Sequence, residues 1–129
     1  MIPNGLRVWF VVHFVVDLLV ALPLFFAPHW TLELVGWYGY NIDPFATRIV
    51  AAALFGIGIE SLLGRNASIE TFRAMLNLKV IWSTSAIIGL VWSMLSADNE
   101  PPRFVWLAIL GFIPFSGAWI FYRWRLRTN

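Results

Sequence analysis

The chain has 129 residues, of which 60% are hydrophobic, 17% aromatic and only 12% charged, with a formal net charge of +2. It contains no cysteine, which excludes disulfides, thiolate metal sites and cysteine nucleophiles. The small net charge gives no basis for nucleic-acid binding, and the long apolar blocks point to a bilayer rather than to water as the solvent.

Four segments are apolar over the roughly 20 residues that a membrane helix needs. They cover about residues 6–27, 44–64, 74–95 and 104–122. The predicted fold is all-α: an integral membrane four-helix bundle with a short interfacial helix between spans 1 and 2, forming a single transmembrane domain over residues 1–129. With no water to satisfy backbone groups in the bilayer, the spans must be helical. Short connections make sequential helices antiparallel neighbours.

Span 1 carries Asp17 in its middle, which reads as a retained helix because a signal h-region is shorter and uncharged. Pro23 is expected to kink it and Pro28 to end it. The stretch 29–40 mixes Trp30, Trp37, Tyr38 and Tyr40 with Leu32, Leu34 and Val35. That pattern suits a short amphipathic segment at the interface, broken by Gly36 and Gly39. Asp43-Pro44 is a helix-start signature, with Asp43 as N-cap and Pro44 at the first helical position. Asn66 or Ser68 can cap span 3. The loop 96–103 is acidic, with Asp98, Glu100 and two prolines. Asn66-Ala67-Ser68 matches a glycosylation sequon but falls on the predicted cytoplasmic side. No internal repeat or low-complexity tract is present.

Arg7, Arg65, Arg73, Arg123, Arg125 and Arg127 flank one side of the spans, against Arg48 and Arg103 on the other. The positive-inside rule then predicts a multi-pass protein of the cell membrane with both termini in the cytoplasm.

The polar residues inside the spans are the candidate site. A carboxylate near the bilayer centre costs about 3 kcal/mol on insertion scales, so it calls for a partner or a task. At about 1.5 Å of rise per residue, His13, Glu60 and Lys79 come to a similar depth in the cytoplasmic half, with Asp17 one turn deeper. His13 and Asp17 share a face at i,i+4. Glu60 is flanked at i±4 by Gly56 and Gly64, small residues that let another helix approach, so Glu60 is expected to face the interior. Lys79 shares its face with Ser83, and Ser116 lies on span 4 near that level. The candidate ligand-binding residues are therefore Asp17, Glu60, His13, Lys79, Ser83 and Ser116. The same charges can instead neutralise one another as a structural network, and Lys79 can snorkel to the headgroups.

His29 and Glu33 form a second i,i+4 pair at the outer interface. They make half a metal site, where zinc takes three or four ligands, so no metal is assigned. No haem or other cofactor is implied, and no hydrolase, P-loop or metalloprotease signature occurs. No catalytic residue is assigned. Trp9, Trp30, Trp37, Trp106, Trp119 and Trp124 fall near the expected interfaces, as an aromatic belt does. Trp82 and Trp92 lie within span 3 and are expected in core or lipid contact.

The span-2 run from Arg48 through Ala51-Ala52-Ala53 and Gly56-Ile57-Gly58-Ile59-Glu60 to Arg65 resembles the DoxX-like small four-helix membrane proteins. Trp37-Tyr38 followed by Asp43-Pro44, with acids at Asp17 and Glu60, is similar to the sterol-isomerase and sigma-2-receptor type fold. That second resemblance implies a pocket for cationic or sterol-like ligands lined by Asp17 and Glu60. Three functions follow as expectations: binding, and transport, of a small apolar or cationic molecule or lipid; an accessory role with a homo-oligomeric or membrane-complex partner; and an intramembrane isomerase using the two acids.

Overall fold

The computed structural model describes residues 1–37, 43–96 and 103–127. Within them the chain forms five α-helices: α1 (Asn4–Phe26), α2 (Pro28–Leu34), α3 (Pro44–Leu63), α4 (Ile69–Leu95) and α5 (Arg103–Arg125), with one 3-10 turn, Gly64–Asn66. Four of these, α1, α3, α4 and α5, are long and apolar enough to cross a membrane. The architecture is all-α and compatible with the expected membrane four-helix bundle, and the protein is a small multi-pass membrane protein.

Two compact units divide the chain, residues 3–66 and residues 67–129 with Met1 and Ile2. In the first, α1 packs along α3, and α2 folds against both. In the second, α4 packs along α5.

Local chemistry sets the helix ends. The Asp43 carboxylate accepts from the amides of Phe45 (2.8 Å) and Ala46 (3.3 Å), with Pro44 behind it. Ser68 caps α4 through the Thr71 amide. Asn66 is not the cap; its side-chain oxygen accepts from Arg7 at 2.6 Å. Both polar side chains of the sequon are thus engaged. Removing the Asp43 cap orphans two amides at the start of α3. Asp43→Ala is expected to cost about 1 kcal/mol, read as a lower melting temperature in detergent; an unchanged value would show the cap to be idle.

Helix α1 contains Pro23, whose missing N–H interrupts the ladder one turn before the end. The helix stops at Phe26, and Pro28 opens α2. Gly36 ends α2 at a φ of 93°, a left-handed conformation that suits glycine. Its amide bonds the Glu33 carbonyl, and the Trp37 amide bonds the Leu32 carbonyl. These are the two bonds of a Schellman motif, and the accompanying apolar contact is present: Leu32 joins Leu24 and Ala51 in a core against which Trp37, Val35 and Leu54 pack. Helix α2 is therefore docked on the α1–α3 pair by one face. Its His29, Trp30, Glu33 and Leu34 are exposed. Tyr38 and Tyr40 of the expected interfacial stretch, and the acidic loop with Asp98 and Glu100, lie outside the described residues.

Arginines near helix starts reach the carbonyl ends of antiparallel neighbours. Arg7 on α1 donates to the Arg65 carbonyl beyond α3 (3.2 Å). Arg48 on α3 donates to the Phe25 carbonyl of α1 (3.1 Å). Arg73 on α4 donates twice to the Leu126 carbonyl beyond α5 (2.6 and 3.2 Å). A cation is disfavoured at the positive end of its own helix and favoured at the negative end of the next, so each contact turns a local cost into a cross-link.

The solvent sides invert those of a water-soluble protein. Only 22–28% of each span's apolar window is buried, and Leu19, Ile49, Leu63, Ile81, Trp92 and Leu110 are largely exposed. His13, Asp17, Ser61, Lys79, Ser83 and Ser116 are buried. Apolar surface outside with polar side chains inside is what lipid as solvent demands.

Candidate functional site

The buried stripe of α1 is Leu6, Phe10, His13, Asp17, Ala21 and Leu24. Its steps of three and four residues are those of a single helix face. His13 and Asp17 occupy its centre, at 8% and 6% exposure. On α3 the buried residues are Ala51, Gly58 and Ser61, again at helical spacing, and all small. Small side chains let two membrane helices approach closely.

At the centre of this contact, His13 Nδ1 lies 3.0 Å from Asp17 Oδ2 in an ion-pair contact. Ser61 Oγ lies 3.4 Å from the same nitrogen. The Ser61 hydroxyl donates to the Ile57 carbonyl at 2.6 Å. Gly58 makes room for the acid: a Cβ added there would sit 2.8 Å from the Asp17 Cβ and 3.3 Å from Oδ2. The niche is thus built from one carboxylate, one imidazole, one hydroxyl and one absent side chain.

Gly58 and Ser61 are the residues that sequence reasoning missed. The expectation that Gly56 marks the packed face is corrected: Gly56 is exposed, and a Cβ there would meet nothing within 4 Å. Glu60 is half-buried. The usable signal was the seven-residue spacing from Ala51 to Gly58, completed by Ser61, which matches the period of α1's polar stripe.

The α4–α5 unit holds its own polar group. Lys79 is 2% exposed, and its ammonium sits over the ring of Trp119, 5.3 Å from the centroid. Lys79 does not snorkel to the headgroups; a cation over a ring face is attracted by the ring quadrupole, more strongly where water is excluded. Trp119 is 1% exposed and stacks on Phe115 with centroids 5.9 Å apart. It belongs to the interior, which corrects its expected place in the aromatic belt. Trp92, at 71% exposure, faces outward. Ser83 and Ser116 are buried on α4 and α5, and the Ser83 hydroxyl donates to the Val80 carbonyl at 3.4 Å. Near the unit's end, Arg123 donates to the Asn77 side-chain oxygen.

His29 and Glu33 are exposed on α2. No group of three or more His, Asp or Glu that could hold a metal occurs among the described residues. No family model, curated protein or solved structure matches the chain.

Proposed function

We propose that the protein binds a small, mainly apolar molecule carrying a cationic or hydrogen-bonding group, and transports it, at the His13–Asp17 niche. The observation that carries this reading is a carboxylate buried at the centre of a membrane helix, with a glycine opposite that leaves space for it. Such a group is expensive in lipid and marks a functional site by default. Asp17 and His13 meet the ligand, Ser61 fixes the imidazole, and Glu60 lies on the flank of α3. Lys79, Ser83 and Ser116 are a separate buried polar group within the α4–α5 unit, and they remain candidate ligand-binding residues there. Membership of the DoxX-like proteins, on the 48–65 run, is part of this proposal.

The cell membrane is the proposed location, with both termini cytoplasmic. The arginine contacts support that orientation within each unit: Arg7 and Arg65 share one end of the first, and Arg73 and Arg123 share one end of the second.

The test is thermal stability of the detergent-purified protein against a panel of lipids, hydrophobic amines and sterol-like compounds, with Asp17→Asn alongside. Asparagine keeps the volume and an acceptor oxygen, so the variant is expected to fold while losing the ligand's stabilising effect. A compound that stabilises both proteins equally would remove Asp17 from the site.

A second reading, an accessory subunit or homo-oligomer, is favoured by one observation. Gly56, Gly89, Gly111 and Gly117 are exposed, with nothing within 4 Å of a Cβ position, and small residues on outer faces admit a partner helix. No shift for any compound, with a cross-linked species lost on Gly56→Leu, is the result this reading expects.

A further inference from the structure

Four arginines gather at one end of the α4–α5 unit. Arg73, near the start of α4, donates from Nε and Nη2 to the Leu126 carbonyl at 3.2 and 2.6 Å. Arg123, in the last turn of α5, donates from Nε to the Asn77 side-chain oxygen. Leu126 is fully buried, and its amide bonds the Tyr122 carbonyl at 3.0 Å. The Arg127 amide bonds the Trp124 carbonyl at 3.0 Å. The end of α5 is thus pinned to the start of α4. Arg125 and Arg127 are exposed there, beside Trp124 at 64% exposure.

Like charges held together in this way need anions. Among the described residues of this unit the acid is Glu70, exposed in the first turn of α4, and it balances one of the four arginines. At the end of a membrane helix the anions at hand are lipid headgroups. A guanidinium matches phosphate oxygens with two parallel donors, which an ammonium does not. It carries five donors in all, and the contacts above use two on Arg73 and one on Arg123. Trp124 fits the same depth, because an indole at the end of a span is favoured at the headgroup level.

We propose that this end of the α4–α5 unit binds the headgroup phosphate of an anionic phospholipid. Arg125 and Arg127 are its principal donors, Trp124 lies against the glycerol and upper acyl chain, and Arg73 and Arg123 hold the frame. The surface belongs to the unit that lacks His13 and Asp17, so it stands apart from the ligand niche proposed above and does not depend on it. The opposite end of α5 supplies the contrast: Arg103 is exposed there and is the one basic residue at that end among the described residues of the unit.

Native mass spectrometry tests this on the detergent-purified protein, equilibrated with equal amounts of dioleoyl phosphatidylglycerol and dioleoyl phosphatidylcholine. The wild type is expected to retain phosphatidylglycerol in preference. A basic residue at a membrane surface raises affinity for anionic lipid about fivefold. Arg127→Gln should therefore lower the preference about fivefold, and adding Arg125→Gln should lower it again by about the same factor. Arg103→Gln should leave it unchanged. Melting temperature in phosphatidylcholine alone reports on the fold, which these exposed positions should not disturb; if the double variant melts early, Arg127→Gln alone decides. No preference in the wild type, an unchanged preference in Arg127→Gln, or an equal loss in Arg103→Gln would overturn the proposal. Excess glycerol phosphate, a headgroup without acyl chains, should not displace the lipid. Displacement would show a site for free phosphate and overturn the lipid assignment.

Discussion

Gly58→Leu is expected to dismantle the α1–α3 unit, while Gly56→Leu, two residues away, leaves it folded. The contrast follows from geometry. A Cβ at Gly58 would lie 2.8 Å from the Asp17 Cβ, an atom whose position the α1 backbone fixes. Rotating the carboxylate relieves the 3.3 Å contact with Oδ2 but not that one, so the two helices must separate. Even Gly58→Ala should cost about 1–3 kcal/mol, the usual range for overpacking. That loss exceeds the gain of about 1 kcal/mol that alanine brings over glycine within a helix. At Gly56 only the gain applies, because a Cβ meets open space, so Gly56→Ala should be neutral or slightly stabilising. Thermal unfolding of the four variants in one detergent decides the matter. A Gly58→Ala protein that melts with the wild type would show that α1 and α3 do not meet at this depth.

Trp119→Ala should be the most damaging single truncation in the α4–α5 unit. The side chain is buried, stacks on Phe115 and lies under the Lys79 ammonium. Truncating a buried Trp costs about 3–5 kcal/mol. The lower end is expected here, because lipid rather than water solvates the separated helices. Trp119→Phe keeps a ring face and should cost less. Lys79→Met keeps the stem and removes the charge, with a loss of about 1–2 kcal/mol for a desolvated cation–π contact. In the double variant the two effects should fall short of their sum by roughly the same amount. Additive losses would show that the ammonium gains nothing from the ring.

The helices were legible because apolar length alone identifies them, and Asp43 and Ser68 announce their starts by chemistry that depends on a few neighbouring residues. Facing was harder to read. In water an apolar stripe points inward, but in lipid both sides of α3 are apolar, and the exposed Ala52 and Gly56 are the same residue types as the buried Ala51 and Gly58. Only polar residues carry directional information, which is why His13 and Asp17 were placed on one face while the packed glycine was misassigned. The four-residue spacing of Gly56 from Glu60 carries little information about facing, because Glu60 is half-buried. Trp119 was misplaced for a related reason. Its closeness to Arg123 in sequence suits a headgroup-level residue, yet the three-residue step from Ser116 puts it on the buried face. The Lys79 contact joins residues forty positions apart, and no local pattern encodes it.

The arginine contacts at the two ends of the α1–α3 unit also bear on biogenesis. Arg7 bonds the Arg65 carbonyl after α3 at one end, and Arg48 bonds the Phe25 carbonyl of α1 at the other. Whichever way the unit faces, one of these guanidinium groups has to be carried through the bilayer during synthesis. Its charge opposes that passage, and its acceptor exists only once the antiparallel helix is alongside. The translocation machinery would then handle α1 and α3 best as one closed hairpin delivered together, with the late-arriving helix completing the hydrogen bonds that the early one lacks.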